Sequence, residues 1–434
     1  MKSNYNILIF FVYMCGGIAR GTVVNSLTSV IIAMYSAETN HFNTTGSIMA
    51  FLSTSILFGS MVGSFIATHI ILKFGRKNSM LGFAIFSVIT NAASMIPVHW
   101  IYLAIMKMLT GLCTSIIITT IPMLFSEFVA PHLRGIFASL ISFFITFGIL
   151  LSATLQLFIE QAQQTKLFYI CFIPGTVFSG LVMILCIWVK EKNTQDNMSS
   201  SLVQNIEIVT KPSIFSKKYR KCLIIALAIG PSQAGCGMNP VIQYATIIFA
   251  NIFDSPYSGT LGQILITAVN TALALIMLPF VRKIRRRILW FISMFGTIVC
   301  LSVELILELV YLSDSLRSQL KIVLTGLCLT FYCIGLGPLF IVIQAEVFPL
   351  EVKTQFMNIS MSLSWIAYIT TTQIYPLIPY WCSYIVFISI ESISSCVLFK
   401  FLPETFNKTL DQIKAAVIDE ELCIQNDAPM EYIE

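Results

Sequence analysis

Long apolar runs separated by short polar breaks dominate this chain. Runs of about the ~20 residues needed to cross a bilayer recur at 7–34, 46–71, 79–97, 100–126, 135–159, 167–189, 220–250, 258–281, 287–311, 319–347, 353–376 and 380–402. Backbone groups surrounded by lipid must be satisfied within their own segment. The twelve spans are therefore predicted to be helices, and the fold class an all-α membrane protein. Several runs exceed the minimum, which allows for tilt or for a helix continuing past the membrane. One long polar interruption, about 190–219, divides the spans six and six. The predicted organisation is an N-terminal six-helix bundle over 1–189, a cytoplasmic linker with an interfacial helix over 190–219, a C-terminal six-helix bundle over 220–402, and a mobile, acidic-ended cytoplasmic tail over 403–434.

The few charges repeat. Glu127 is followed seven residues later by Arg134, and Glu346 is followed seven residues later by Lys353; the two pairs are offset by 219 residues, about half the chain. Gly75-Arg76-Lys77 in the first half is echoed by Arg285-Arg286-Arg287 in the second, and Glu191 by Pro403-Glu404-Thr405. Charge is costly beside lipid, so a duplicated charge pattern implies a duplicated structure. Two pseudo-symmetric membrane halves in one chain point to a transporter with its site between them.

Composition agrees with this reading. Only 11% of residues are charged, against roughly 25% in soluble domains. The net charge of +5 reflects a bias toward one membrane face rather than a nucleic-acid surface. With the N-terminus in the cytoplasm, 21 of the 26 Lys and Arg fall on the inner side. Lys166, Arg317 and Lys321 fall outside, and Arg20 and Lys107 lie within spans. Both termini are then cytoplasmic. Residues 1–34 have no convincing cleavage site after the apolar run and are expected to form a retained first helix. The twelve Cys lie mostly within spans, with no CxxC, and there are only four His, so neither a disulfide framework nor a metal site is implied. Asn43-Thr44-Thr45 is the one sequon of four that this topology places outside. It makes Asn43 a candidate glycosylation site and supports a plasma-membrane location.

Helix breakers concentrate in three spans. The first has Gly16, Gly17 and Gly21; the seventh has Gly230-Pro231, Gly235 and Gly237; the tenth has Gly335, Gly337 and Pro338. Glycine serves close packing in membrane helices, whereas Pro beside Gly at mid-span suggests a kink or break.

Five motifs fall in order along the chain. They are Gly75-Arg76-Lys77 after span two; Pro122-Met123-Leu124-Phe125-Ser126-Glu127 with Arg134-Gly135 after span four; Gln233-Ala234-Gly235-Cys236-Gly237-Met238-Asn239 with Gln243-Tyr244 in span seven; Gly335-Leu336-Gly337-Pro338 with Glu346-Val347-Phe348 in span ten; and Pro403-Glu404-Thr405-Phe406-Asn407-Lys408-Thr409 in the tail. Over essentially the whole chain this resembles the sugar porter family of the major facilitator superfamily, and the branch it looks most like is the insect facilitated trehalose or hexose transporters. The resemblance implies facilitative, monomeric sugar transport by alternating access. It places Gln233, Asn239 and Asn270 at amide positions of a sugar site, Trp365 at its aromatic position and Tyr244 at a gate. Neutral amides supply both donors and acceptors to sugar hydroxyls. Charges at the inner helix ends would latch one conformational state: Glu127, Arg134, Arg76 and Lys107 in the first half, Glu346, Lys353 and Arg286 in the second.

The chain departs from the family pattern. Ser142 and Ala234 stand where the family has Gln, Ile341 where it has Trp, Cys333 at an acidic position, and Leu72 and Arg282 where Asp precedes the basic cluster. These changes thin the polar site. Span one lacks the Asp that proton-coupled sugar porters carry, which implies transport without proton coupling. Arg20, Glu304, Glu308 and Glu391 lie within predicted spans with no motif behind them. Arg20 should face either a polar substrate group or a structural partner. Two other readings remain open, a carrier of another small polar solute and a non-transporting sugar sensor on the same fold. No nucleophile triad, metal cluster or phosphate loop rises above chance, so neither an enzyme nor a cofactor is expected.

Overall fold

The computed structural model describes residues 2–35, 46–96, 99–126, 134–161, 165–189, 215–249, 257–310, 313–349, 351–406, 408 and 410–418. The first half holds α1 (Lys2–Tyr35), α2 (Gly46–Phe74), α3 (Arg76–Ala93), α4 (Trp100–Ser126), α5 (Arg134–Gln161) and α6 (Ile173–Trp188). The second half opens with α7 (Arg220–Gly235), α8 (Met238–Gln243) and α9 (Ala245–Ile248), followed by α10 (Ser258–Met277) and α11 (Phe280–Lys283). It continues with α12 (Arg286–Leu309), α13 (Asp314–Ile334), α14 (Leu336–Val347), α15 (Lys353–Ile374), α16 (Tyr380–Phe401) and α17 (Leu410–Val417).

Polarity is turned inside out. On α3 the buried residues include Ser79, Ser87, Thr90 and Asn91, while Ile85, Phe86 and Ile89 face outward. On α15, Ser360, Ser364, Thr371 and Thr372 are buried. Among the described residues, ten helical stretches are long and apolar enough to cross a membrane on their own. The more polar α3 and α15 complete a set of twelve, because their hydroxyls and amides turn toward neighbouring helices. Ser87 and Ser179 share a 3.1 Å hydrogen bond between α3 and α6, and Thr110 of α4 donates to Thr90 at 2.9 Å.

The helix neighbours show the repeat in space. In the first half α1 packs on α5 and α6, α2 on α4, and α3 on α4 and α6. In the second half α7 packs on α15 and α16, α10 on α13, and α12 on α13 and α16. These are the same pairings six spans later. The halves meet where α2 packs on α15 and α5 on α10, two contacts exchanged by the same relation.

The seventh and tenth spans are broken, but at Gly237 and Gly335, whereas Gly230-Pro231 lies within α7 and Gly337-Pro338 within α14. Gly237 separates α7 from α8 with φ 75°, a left-handed conformation in which a Cβ would also stand 2.3 Å from the Phe387 ring. Gly335 separates α13 from α14, and a Cβ there would meet the Leu289 carbonyl at 2.5 Å. By contrast α1 is unbroken; Gly21 serves packing, 2.0 Å from the Ile145 carbonyl by the position of a built Cβ.

The tail corrects one expectation. Instead of a wholly mobile segment, α17 docks on the face that carries the termini, burying Ile413, Val417 and Ile418. Lys414 Nζ lies 2.6 Å from Glu351 Oε1, and Tyr219 Oη donates to Glu351 Oε2 at 2.8 Å. The Lys414 ammonium, then the Tyr219 hydroxyl, hold the Glu351 carboxyl below its ordinary value. Because the folded value is depressed, the contact contributes fully above the unfolded value of about 4.3 and is lost as pH falls through the folded one. Hydrogen exchange in α17, corrected for intrinsic rate, should be flat from pH 7 to pH 5 and rise below about pH 4. Glu351→Gln should raise it at neutral pH by no more than about 1 kcal/mol, since the pair is partly exposed and screened. Unchanged exchange in the variant would remove this contact as the docking point. Residues 190–214 of the predicted linker and 419–434 of the tail lie outside the described residues.

Candidate functional site

Hydrogen bonds that cross between the halves cluster on the face opposite the termini. Gln243 Nε2 donates to the Ser53 carbonyl at 2.7 Å, Gln263 Nε2 to Asn25 Oδ1 at 2.7 Å, and Gln373 Nε2 to Thr54 Oγ1 at 2.8 Å. Thr260 Oγ1 lies 2.8 and 2.7 Å from the two oxygens of Glu160, and Gln156 Nε2 donates to Thr260 at 3.3 Å. Each of these residues sits in the part of its helix toward that far face. Val23, Ile56, Leu57 and Ile369 pack beside them as a small apolar cluster. Together they form a closed seam.

Beneath the seam, at the middle of the helices, lies a connected polar chain. Gln233 on α7 donates from Nε2 to Tyr332 Oη at 3.1 Å and accepts from Ser364 Oγ at 3.0 Å. Tyr368 hydrogen-bonds to Tyr332 and Gln233, and its ring lies 5.8 Å from that of Trp365. Trp365 then crosses to the first half, where Nε1 donates to Ser64 Oγ at 2.9 Å, and Ser64 pairs with Ser115 at 2.8 Å. The Arg20 guanidinium lies 5.5 Å from the Trp365 ring centroid and donates to Thr114 Oγ1 at 2.9 Å.

The other residues expected at the site lie on nearby elements. Asn270 on α10 accepts from Cys333 Sγ at 3.0 Å, so the thiol at the departed acidic position is itself engaged. Asn239 on α8 donates to Thr372 Oγ1 at 2.9 Å. Tyr244 follows α8, stacks on Tyr375 at 5.9 Å and reaches the Thr372 carbonyl at 3.5 Å. Gln233 and Trp365 thus share one polar chain, whereas Asn239 and Tyr244 gather around Thr372 toward the far face. Ser142 and Ile341 are half-buried, and Ala234 is fully buried.

On the terminal face, Arg286 Nη2 is 3.0 Å from Glu346 Oε1, and Lys353 adds a longer-range attraction to the same carboxylate. Arg76 opens α3, half-buried. Glu127 lies outside the described residues, as does the side chain of Arg134, and so does Asn43. Lys107 is a correction. It stands nineteen residues before the Ser126 end of α4, about 28 Å along the axis, and so cannot join the latch there. It is fully buried, donates to Ser26 Oγ at 2.6 Å and lies 4.0 Å over the Phe172 ring. The three unexplained carboxylates stay within the second half. Glu304 accepts from Thr325 at 3.0 Å, Glu391 accepts from Thr297 at 3.3 Å, and Glu308 pairs with Lys321.

The family model described as sugar (and other) transporter matches residues 10–193 and 190–417, which together span nearly the whole chain. The chain belongs to this sugar (and other) transporter family. Among curated relatives, the putative metabolite transport protein YwtG of Bacillus subtilis is 22% identical over 404 residues, covering 87% of each chain. The facilitated glucose transporter member 3 of solute carrier family 2 from Canis lupus familiaris is 25% identical over 402 residues, covering 82% of this chain and 79% of its own. The proton:xylose symporter XylE bound to 6-bromo-6-deoxy-D-glucose superposes with a TM-score of 0.75 at 18% identity, covering 96% of this chain and 99% of its own. An inward-open conformation of XylE from E. coli superposes equally well, at 0.75 and 19% identity. The fold of this member of the sugar (and other) transporter family is therefore the all-helical major facilitator fold, and the protein is a multi-pass membrane protein of the transporter type rather than an enzyme.

Sequence reasoning missed Tyr332, Tyr368, Ser364 and Thr372, which complete the polar chains. The signal was available: Ser364, Trp365, Tyr368 and Thr372 recur at helical spacing on one side of α15.

Proposed function

We propose that this protein moves a neutral sugar, a hexose or trehalose, across the plasma membrane by uniport. The two halves alternate about a site at the level of Gln233 and Trp365, with both termini cytoplasmic. The observation that carries this reading is the combination of a mid-helix chain of amide, hydroxyl and aromatic groups with a far-face seam of amide hydrogen bonds between the halves. Such a site suits a solute with many hydroxyls, and such a seam can open at modest cost. The relatives named for glucose and xylose transport support a sugar as the class of solute. Glu346 with Arg286 and Lys353, together with Glu127, Arg134 and Arg76, would act as latches on the inner face. The lack of any Asp or Glu in α1 supports transport without proton coupling.

Radiolabelled uptake of trehalose, glucose and fructose in oocytes tests the proposal. Saturable uptake should persist when a protonophore collapses the proton gradient. Gln233→Ala should lower it by at least about 10-fold at equal surface level, because Tyr332 and Ser364 lose their common partner. Uptake that vanishes with the gradient would replace uniport with symport. No uptake of any of the three sugars would end the sugar reading.

A further inference from the structure

Among the described residues, the first half contains two buried basic side chains, Arg20 and Lys107, and no carboxylate paired with either. Arg20 is 6% exposed at the middle of α1, and its contacts are one hydrogen bond to Thr114 and the face of Trp365. Lys107 lies one seam position away on the same α1–α4 interface, seven residues from Thr114 and so about 10 Å along the axis. The described ion pairs of the protein involve neither residue. The described carboxylates within spans have other partners: Glu160 with Thr260, Glu304 with Thr325, Glu391 with Thr297 and Glu308 with Lys321.

A guanidinium offers five N–H donors in a planar fork that matches a carboxylate, and one hydroxyl satisfies only one of them. The cost of holding it in this place is repaid only when a counter-charge arrives. Arg20 also sits where an arriving solute would be. Its ring partner Trp365 belongs to the opposite half and is the link between the Gln233–Tyr332–Tyr368 chain and Ser64. Lys107 is walled off by Phe172 and Ser26 and makes no contact with that place.

The geometry points to Arg20 as the carboxylate seat of the transport site, so that the solute carried best is a small polyhydroxy acid such as a hexuronate. Its carboxylate engages the free edge of the Arg20 guanidinium, and its hydroxyls engage Gln233 and Tyr332. This goes beyond the neutral-sugar proposal in the charge of the solute and rests on its location of the site.

The test uses purified full-length protein in proteoliposomes, with D-glucuronate, D-glucuronamide and D-glucose as probes. Glucuronamide keeps the shape of glucuronate and lacks its charge. Glucuronate uptake should exceed glucuronamide uptake, and an inside-positive potential should accelerate the anion alone. Arg20→Gln should lower glucuronate uptake by about 30-fold or more while changing glucuronamide uptake far less. Arg20→Lys, which keeps the charge and loses the fork, should retain part of it. A destabilised fold would depress all three solutes together, and thermal unfolding of each variant reports that separately. Glucose uptake with no glucuronate uptake would overturn the assignment and leave the neutral-sugar proposal standing. Arg20-dependent glucuronate uptake without glucose uptake would do the reverse. Equal loss of glucuronate and glucuronamide uptake in Arg20→Gln would make the residue structural and overturn the assignment.

Discussion

Gly59→Leu is expected to leave no folded protein in the membrane. A Cβ at Gly59 would stand 1.8 Å from the Met108 carbonyl oxygen and 2.6 Å from its carbon, backbone atoms in the middle of α4 that cannot turn aside. The approach is reciprocal, since a Cβ on Gly111 would meet the Ile56 carbonyl at 2.2 Å and one on Gly63 the Leu112 carbonyl at 2.6 Å. Spacing of small residues four apart brings the two backbones together, and the seam is then stitched by Ser60, Ser64 and Ser115. Even Gly59→Ala should cost about 1–3 kcal/mol or more, because the helices must separate along their length. The same seam presents Ser64 to Trp365, so separation would also disturb the site. Fluorescence-detected size-exclusion of the detergent extract reads the outcome. Gly82→Ala and Gly326→Ala, where a Cβ meets nothing within 4 Å, should give the wild-type peak. A normal monodisperse peak from Gly59→Leu would refute the packing argument.

The parts of this structure that were legible in the sequence are those written in rare residue types. Breaks appear where Gly237 and Gly335 interrupt long apolar runs, and scarce charge marks the Arg286–Glu346 pair by its repeat. The relation of the halves is legible for the same reason. What was not legible depends on helix rotation. In a helix that is apolar almost all round, periodicity carries little information about which side faces a neighbour, so the partners of a lone polar residue stay hidden. Lys107 shows the consequence: its charge invites grouping with the other charges, whereas its partner is Ser26 on a helix eighty-one residues earlier. The far-face seam escaped notice because Gln243, Gln263 and Gln373 are single amides on three different helices, and only the packing of the halves brings them into one layer. Tyr332 and Tyr368 were hidden by their resemblance to ordinary apolar filling.

That seam sets the second large expected effect. In the double variant Gln243→Leu with Gln263→Leu, the Ser53 carbonyl and Asn25 Oδ1 each lose the amide donor that reaches them across the halves. A buried polar group left without its partner costs about 1–3 kcal/mol, so the two together should weaken the far-face closure by roughly 2–6 kcal/mol. That is a shift of about 30-fold or more in any balance between this form and one opened on that face. On the proposed cycle the variant should accumulate with the far face open, and net uptake should fall about 10-fold or more at normal surface level, because the return step becomes rare. A cysteine introduced at Thr54, against the Gln373 side of the seam, should react with an impermeant maleimide faster in the double variant than in the parent. The apolar cluster of Val23, Ile56, Leu57 and Ile369 remains to re-form the contact, so the variant should still cycle rather than lock. Unaltered labelling together with unaltered uptake would show that these amides seal nothing, and the closure would then rest on the apolar cluster and on Thr260 with Glu160.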